Sequence, residues 1–229
     1  TLNPEDLTLM DPACGSGHIL VEAYDLFKAI HLERGYRQRD VARLILGKNL
    51  VGIDIDQRAA QLTAFALMMK GRADDRRIFE LGLKLNVVAL DNSAGLDIEA
   101  LVHGVSLADY GLRLNDVKAL KDLFENATSF GSLIRVPEPI AATLPALKRL
   151  TENASHDLFC VDALRHLGLL VRQAELLMIN YDAVVSNPPY MGGNGMNTLM
   201  KKFTSEFYPD AKTDLFSCFM ERSYTLVKD

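Results

Sequence analysis

Apolar positions along this chain alternate between short β-branched runs and stretches with helical spacing, the pattern of an α/β fold. Residues 7–10 read as a first strand, which runs directly into Asp11-Pro12-Ala13-Cys14-Gly15-Ser16-Gly17. Over residues 18–31, Ile19, Leu20, Ala23, Leu26, Phe27 and Ile30 fall at helical spacing, predicting a helix that buries one face on a sheet. Residues 33–48 are charged and then helical, with Val41, Leu44, Ile45 and Leu46 as the apolar side. Residues 50–56 predict the second strand, 57–70 a helix with methionines in the core, and 71–77 a charged connection. The third strand spans 85–90 and ends at Asp91-Asn92-Ser93.

The pattern then changes. Residues 97–102, 115–127, 139–151 and 156–177 read as amphipathic helices, with turns around Gly104, Gly111, Ser129-Phe130-Gly131 and Asn153. Residues 181–186 return to an apolar, β-branched strand, which Pro188 and Pro189 end abruptly. Residues 191–197 hold three glycines and no periodicity, as expected of a mobile lid or a surface loop. Residues 214–228 predict a last helix with Leu215, Phe216, Phe219, Met220 and Leu226 facing inward. The expected organisation is a ligand-binding part at 1–94, a helical insertion at 95–179, and a further strand, loop and helix of the first domain at 180–229.

At 229 residues, with nearly half of them hydrophobic, the chain can bury a proper core. No apolar run is long enough to span a bilayer and the first residues do not form a signal peptide, so the expected location is the cytoplasm. Cys14, Cys160 and Cys218 are far apart, which indicates neither a disulfide framework nor a zinc site. His156, Cys160 and His166 lack a fourth ligand and read as core or surface helix residues. A net charge of −5 argues against a chain that grips nucleic acid alone. The local basic and aromatic cluster of Lys201, Lys202, Phe203, Phe207, Tyr208 and Lys212 suits either nucleic-acid stacking or a core edge beside solvated lysines.

Two motifs carry chemistry. The strand, glycine turn and helix at residues 7–31 would bring bare backbone and unpaired helix N–H groups to a ligand. The turn lacks the Gly-Lys-Ser/Thr ending of a P-loop, and Leu20 stands where the dinucleotide fingerprint needs a third glycine. At the other end of the chain, Asn187-Pro188-Pro189-Tyr190 offers an amide, carbonyls without competing N–H groups, and a flat ring, which is equipment for gripping a planar group bearing an NH2.

Together, Asp-Pro-Ala-Cys-Gly-Ser-Gly and Asn-Pro-Pro-Tyr resemble the motifs of S-adenosylmethionine-dependent, adenine-specific DNA methyltransferases. The resemblance implies a Rossmann-like, doubly wound sheet, with Asp11, Pro12, Ala13, Cys14, Gly15 and Gly17 forming the cofactor loop. It implies that Asp54 holds the ribose, that Ile55 packs on the cofactor adenine, and that Asp91, or else Asn92, receives the adenine amine. Asp56 is expected to cap the next helix. Asn187, Pro188, Pro189 and Tyr190 become the catalytic group acting on an adenine flipped out of double-stranded DNA. The long helical insertion, with Gly131-Ser132-Leu133-Ile134 and residues 191–197, is similar to the PglX-type enzymes of bacteriophage-exclusion systems, which implies defence-system subunits as partners. The family fold has seven strands and only four are visible here, so the chain reads as a fragment with strand four at an open edge, prone to self-association. A glutamine amide in proteins, cytosine, or an inactive cofactor-binding subunit remain alternative readings.

Overall fold

The computed structural model describes residues 2–152 and 158–228. The expected turn at Asn153 and the side chain of His156 lie outside them. The chain divides into two compact units. One comprises Thr1–Ala89, Gly131–Leu133 and Asn180–Asp229; the other comprises Leu90–Phe130 and Ile134–Ile179.

The first unit is α/β and carries a four-stranded sheet of β1 (Leu9–Asp11), β2 (Leu50–Asp54), β3 (Asn86–Ala89) and β4 (Ala183–Val184). The order is β3-β2-β1-β4 and every pairing is parallel. Parallel neighbours need crossovers, and α1 (His18–Glu33) and α3 (Gln57–Asp74) supply them between β1 and β2 and between β2 and β3. α2 (Gln38–Leu44) and a π turn at Ile45–Asn49 lead into β2. The core gathers Leu20, Tyr24 and Phe27 of α1 with Val41, Ile45, Leu46, Leu50, Leu67 and Ile78.

The buried face of α1 is rotated from the predicted one. Tyr24 and His31 are fully buried, whereas Leu26 is 58% exposed. Tyr24 donates to Asp74 at 2.9 Å and His31 Nδ1 bonds the Phe27 carbonyl at 2.8 Å, while the buried His31 Nε2 finds no hydrogen-bond partner among the described residues.

β4 returns beside β1, placing Leu9 opposite Ala183 and Met10 opposite Val184. The pairing is latched at its start, where the Thr8 backbone N–H and hydroxyl both donate to the Asp182 carboxylate at 2.8 Å. Among the described residues no strand pairs with β4 on its other side, although Val227 bridges Tyr181 in parallel just before the bend at Asp182.

Two further helices belong to this unit, α10 (Thr198–Phe207) and α11 (Leu215–Leu226). Residues 191–197, expected as a mobile lid or a surface loop, form a mostly exposed loop that is tied down at several points. Gly193 donates to Thr213 O at 2.8 Å, Leu215 donates to Met191 O at 2.9 Å, Met196 is buried, and Asn197 caps α10. On α11, Leu215, Phe219 and Leu226 are buried as predicted, but Met220 is exposed.

The second unit is helical: α4 (Ile98–Gly104), α5 (Leu114–Leu123), α6 (Ala127–Phe130), α7 (Glu138–Ala141), α8 (Leu144–Thr151) and α9 (Leu158–Met178). α9 packs against α4 and α8. The approach to α4 is close, because a Cβ on Gly104 would lie 2.2 Å from Cys160 Sγ. The single helix expected over 139–151 is two, α7 and α8, with Pro139 and Pro145 in their first turns, where a missing N–H is tolerated.

Candidate functional site

The carboxyl ends of β1 and β4 are adjacent, with β2 and β3 following on one side of β1 and β4 lying on its other side, so the strand order reverses direction there. In an open α/β sheet such a switch point is where ligands bind. From β1, the chain turns through residues 11–17 under tight local control. Ala13 donates to Asp11 Oδ1 at 3.1 Å, Cys14 to Ile53 O at 2.9 Å and Gly17 to Cys14 O at 2.8 Å. Gly15 and Gly17 have φ of 52° and 84°, conformations that glycine adopts without strain. A Cβ on Gly17 would meet Thr63 at 2.7 Å, whereas at Gly15 nothing lies within 4 Å. The backbone at Gly15 is therefore bare toward open space.

β2 adds Asp54. Its Oδ2 accepts from Gly15 N–H at 2.7 Å and its Oδ1 from Asp56 N–H at 2.9 Å, so one carboxylate joins the glycine turn to the start of α3. Asp56 caps α3 by accepting from Arg58 N–H, as the sequence predicted. Ile55, between them, is half exposed. Thr63, buried on α3, donates to Gly15 O at 2.8 Å and clamps the turn from the other side. Thr63 had been overlooked; a polar residue on an apolar helix face was its one signal.

β4 delivers Asn187-Pro188-Pro189-Tyr190. Asn187 is exposed and lines one hollow together with Asp11, Ala13, Cys14, Gly15, Ser16, His18 and Ile19. Pro188 is buried and Pro189 exposed. The Tyr190 ring is 81% exposed and stacks on Phe216 at a centroid distance of 5.6 Å and an interplanar angle of 10°. Phe216 reaches it because Gly192 pairs with Asp214 and Met191 with Leu215 at the start of α11.

The electrostatics are those of a buried anion. Burial pushes the Asp11 carboxyl up to about 6, against the Ala13 amide that donates to it and the nearby Ser186 hydroxyl, while Asp54 adds repulsion. Among the described residues Asp11 has no cationic partner. Burial, with Asp54 and Asp11 close by, pushes the Cys14 thiol up to about 12. A protonated thiol against Gly52 is a packing group, not a nucleophile.

Asp91 and Asn92 belong to the second unit. Gln173 holds the Asp91 backbone from both sides, accepting from its N–H at 2.6 Å and donating to its carbonyl at 3.2 Å. The Asn92 side-chain oxygen accepts from the Thr128 N–H and hydroxyl at 2.9 and 3.1 Å. Both residues line a hollow of that unit with Ser93, Leu96, Arg165 and His166. Among the described residues no group of three or more His, Cys, Asp or Glu side chains is placed to hold a metal, and no helix is long and apolar enough to cross a membrane.

Residues 48–229 match the family described as Eco57I restriction-modification methylase. The chain belongs to the Eco57I restriction-modification methylase family. The whole chain aligns at 43% identity over 255 positions with the adenine-specific methyltransferase BrxX of Escherichia coli O9:H4 (strain HS). It aligns at 38% over 232 positions with the adenine-specific methyltransferase PglX of Lacticaseibacillus casei (strain Zhang), covering 98% of the chain. It spans 21% of the first relative and 19% of the second, about a fifth of each. The glycine turn precedes the family match but lies inside the stretch shared with BrxX. Membership of a methylase family agrees with the paired motifs and with the incomplete Rossmann-like sheet on which the Eco57I-type chain carries them.

Proposed function

We propose that this chain is the catalytic core of a DNA methyltransferase that transfers a methyl group from S-adenosylmethionine to the exocyclic amine of a flipped-out adenine. The observation that carries the reading is that Asn187 and the residue 11–17 turn, far apart in sequence, line one hollow at the ends of adjacent strands. When bound, S-adenosylmethionine supplies an electrophilic methyl on a positively charged sulfur.

The residues suit that group. Bare backbone at Gly15, beside Pro12, Ala13, Cys14 and Gly17, lets a ligand approach closely. Asp11 is a buried carboxylate that gains from a cation. Each Asp54 oxygen holds one N–H and keeps a further lone pair, so the carboxylate can also accept from vicinal ribose hydroxyls. The exposed side chain of Ile55 offers an apolar surface to the cofactor adenine.

On the substrate side, the Asn187 side-chain carbonyl and the Pro188 carbonyl each accept one N–H of the target amine. That steers the nitrogen toward pyramidal geometry and frees its lone pair. Pro189 adds no competing N–H, and the open face of Tyr190 stacks on the base, offsetting part of its unstacking cost. The extra proton leaves to water. We read the whole protein as a cytoplasmic restriction or phage-defence enzyme. Segments outside this chain provide most of the DNA grip, and the β4 edge provides for pairing with another chain.

Calorimetric titration with S-adenosylmethionine, followed by detection of N6-methyladenine in duplex DNA, tests this. Absence of cofactor binding would sink the reading. Methyl found instead on cytosine or on a protein glutamine would keep the site and change the substrate.

A further inference from the structure

Between residues 90 and 179 only the tripeptide Gly131–Leu133 belongs to the sheet-bearing unit, and each of its residues is fastened there. Gly131, at φ 59°, passes so close to Ile55 that a Cβ would come within 3.2 Å of its Cγ2. The Ser132 hydroxyl donates to the Pro12 carbonyl. The Ser132 carbonyl accepts from Arg222 Nε at 2.9 Å, and the Leu133 carbonyl accepts from the Tyr208 hydroxyl at 2.6 Å. Ser132, Leu133, Arg222 and Tyr208 are all at most 4% exposed.

Arg222 also donates from Nη1 to the Thr225 hydroxyl at 2.8 Å, so the buried guanidinium that holds the Ser132 carbonyl is itself held in place. The arrangement fixes position. Proline has no N–H, so the carbonyl is the one backbone group by which Pro12 can be held. Ala13 is tied only to its neighbour Asp11 in the bonds described, and the anchors at Cys14 and Gly15 lie further along the turn. The front of the turn thus leans on Ser132.

Building on the cofactor reading above, we propose that Gly131–Leu133 is a clasp and Ser132 a positioning residue for the cofactor loop. It sets Pro12 against α10 and α11, the helices that follow the Asn-Pro-Pro-Tyr motif, so that cofactor and catalytic halves are held in one register.

The test compares Ser132→Ala with Tyr208→Phe in the full-length protein, measuring S-adenosylmethionine affinity and thermal unfolding together. Ser132→Ala should raise the cofactor Kd about tenfold, the loss of one buried hydrogen bond. Tyr208→Phe, which cuts only the far end of the clasp, should lower Tm comparably and keep Kd within about twofold. Wild-type Kd in Ser132→Ala, or affinity lost in step with Tm in both variants, overturns the clasp. Hydrogen exchange on the wild type serves if Ser132→Ala does not fold. The cofactor should protect the amides of residues 13–17 and 131–133 together, and protection confined to 13–17 overturns the proposal. A wild type that binds no S-adenosylmethionine overturns the cofactor reading itself.

Discussion

Asp11 concentrates the site's chemistry in one side chain. Burial lifts its pKa from the ordinary aspartate value of 3.8 to about 6, so the folded protein holds this proton more tightly than the unfolded chain. The resulting stability is present below about pH 4 and is lost as pH rises through about 6. A bound cation reverses the balance. S-adenosylmethionine affinity should therefore increase as pH rises through 6, and Asp11→Asn should flatten that dependence in calorimetric titrations at stepped pH. Asn187→Ala should lower turnover by about 10²–10³-fold with cofactor Kd unchanged. Asp54→Ala should weaken the cofactor by roughly tenfold to a hundredfold; a Kd change in the Asn187 variant would contradict this division. Phe216→Leu, which strips the backing from Tyr190, should raise the KM for DNA by about two- to tenfold. Asp11, Asp54 and Asn187 were legible because each sits in a recognisable motif at a strand end. Thr63 and Phe216 were not. Their partners lie 48 residues away in one case and across a short clamp in the other, and no local pattern records such contacts.

Elements were easiest to read where the hydrophobic period was strong. All four strands and the crossover helices fall where the alternation put them, with ends displaced by a few residues. The displacements have causes. β2 stops at Asp54 because the carboxylate turns to serve Gly15 and Asp56, and β4 is only two residues long because the chain bends at Asp182 before it and the prolines follow. α10 was missed because its lysines and aromatics were weighed as a surface cluster and not as a periodic face. Gly52 shows how much an element depends on one small residue. A Cβ there would lie 2.7 Å from Leu20 Cδ1 and 3.2 Å from Cys14 Sγ. Gly52→Val should cost about 1–3 kcal/mol in urea unfolding, and more than Gly47→Ala, whose nearest neighbour would be Leu83 Cδ1 at 3.3 Å.

For the molecule as a whole, charge and topology say different things. A net charge of −5 gives little to phosphate, so this chain by itself should bind unrelated duplex DNA no more tightly than about 10⁻⁴ M at physiological salt, the weak end of non-specific binding. Fluorescence anisotropy over a salt series checks this, and micromolar affinity would place the DNA grip inside the chain after all. The boundary between the two units at Ala89 and Leu90 lies a few residues before the change of period near residue 95, and the return of Gly131–Leu133 to the sheet-bearing unit left no mark in the sequence, since three residues carry no period. Topology also orders events in time. β1, β2 and β3 are joined by local crossovers, whereas Thr8 meets Asp182 across 174 residues of chain. Loop closure over that span is slow and cannot begin until the intervening sequence exists. On the ribosome, the nascent chain therefore builds its glycine turn first and gains the Asn187 strand last, so the hollow that the two share is complete only when nearly all of this stretch has been synthesised.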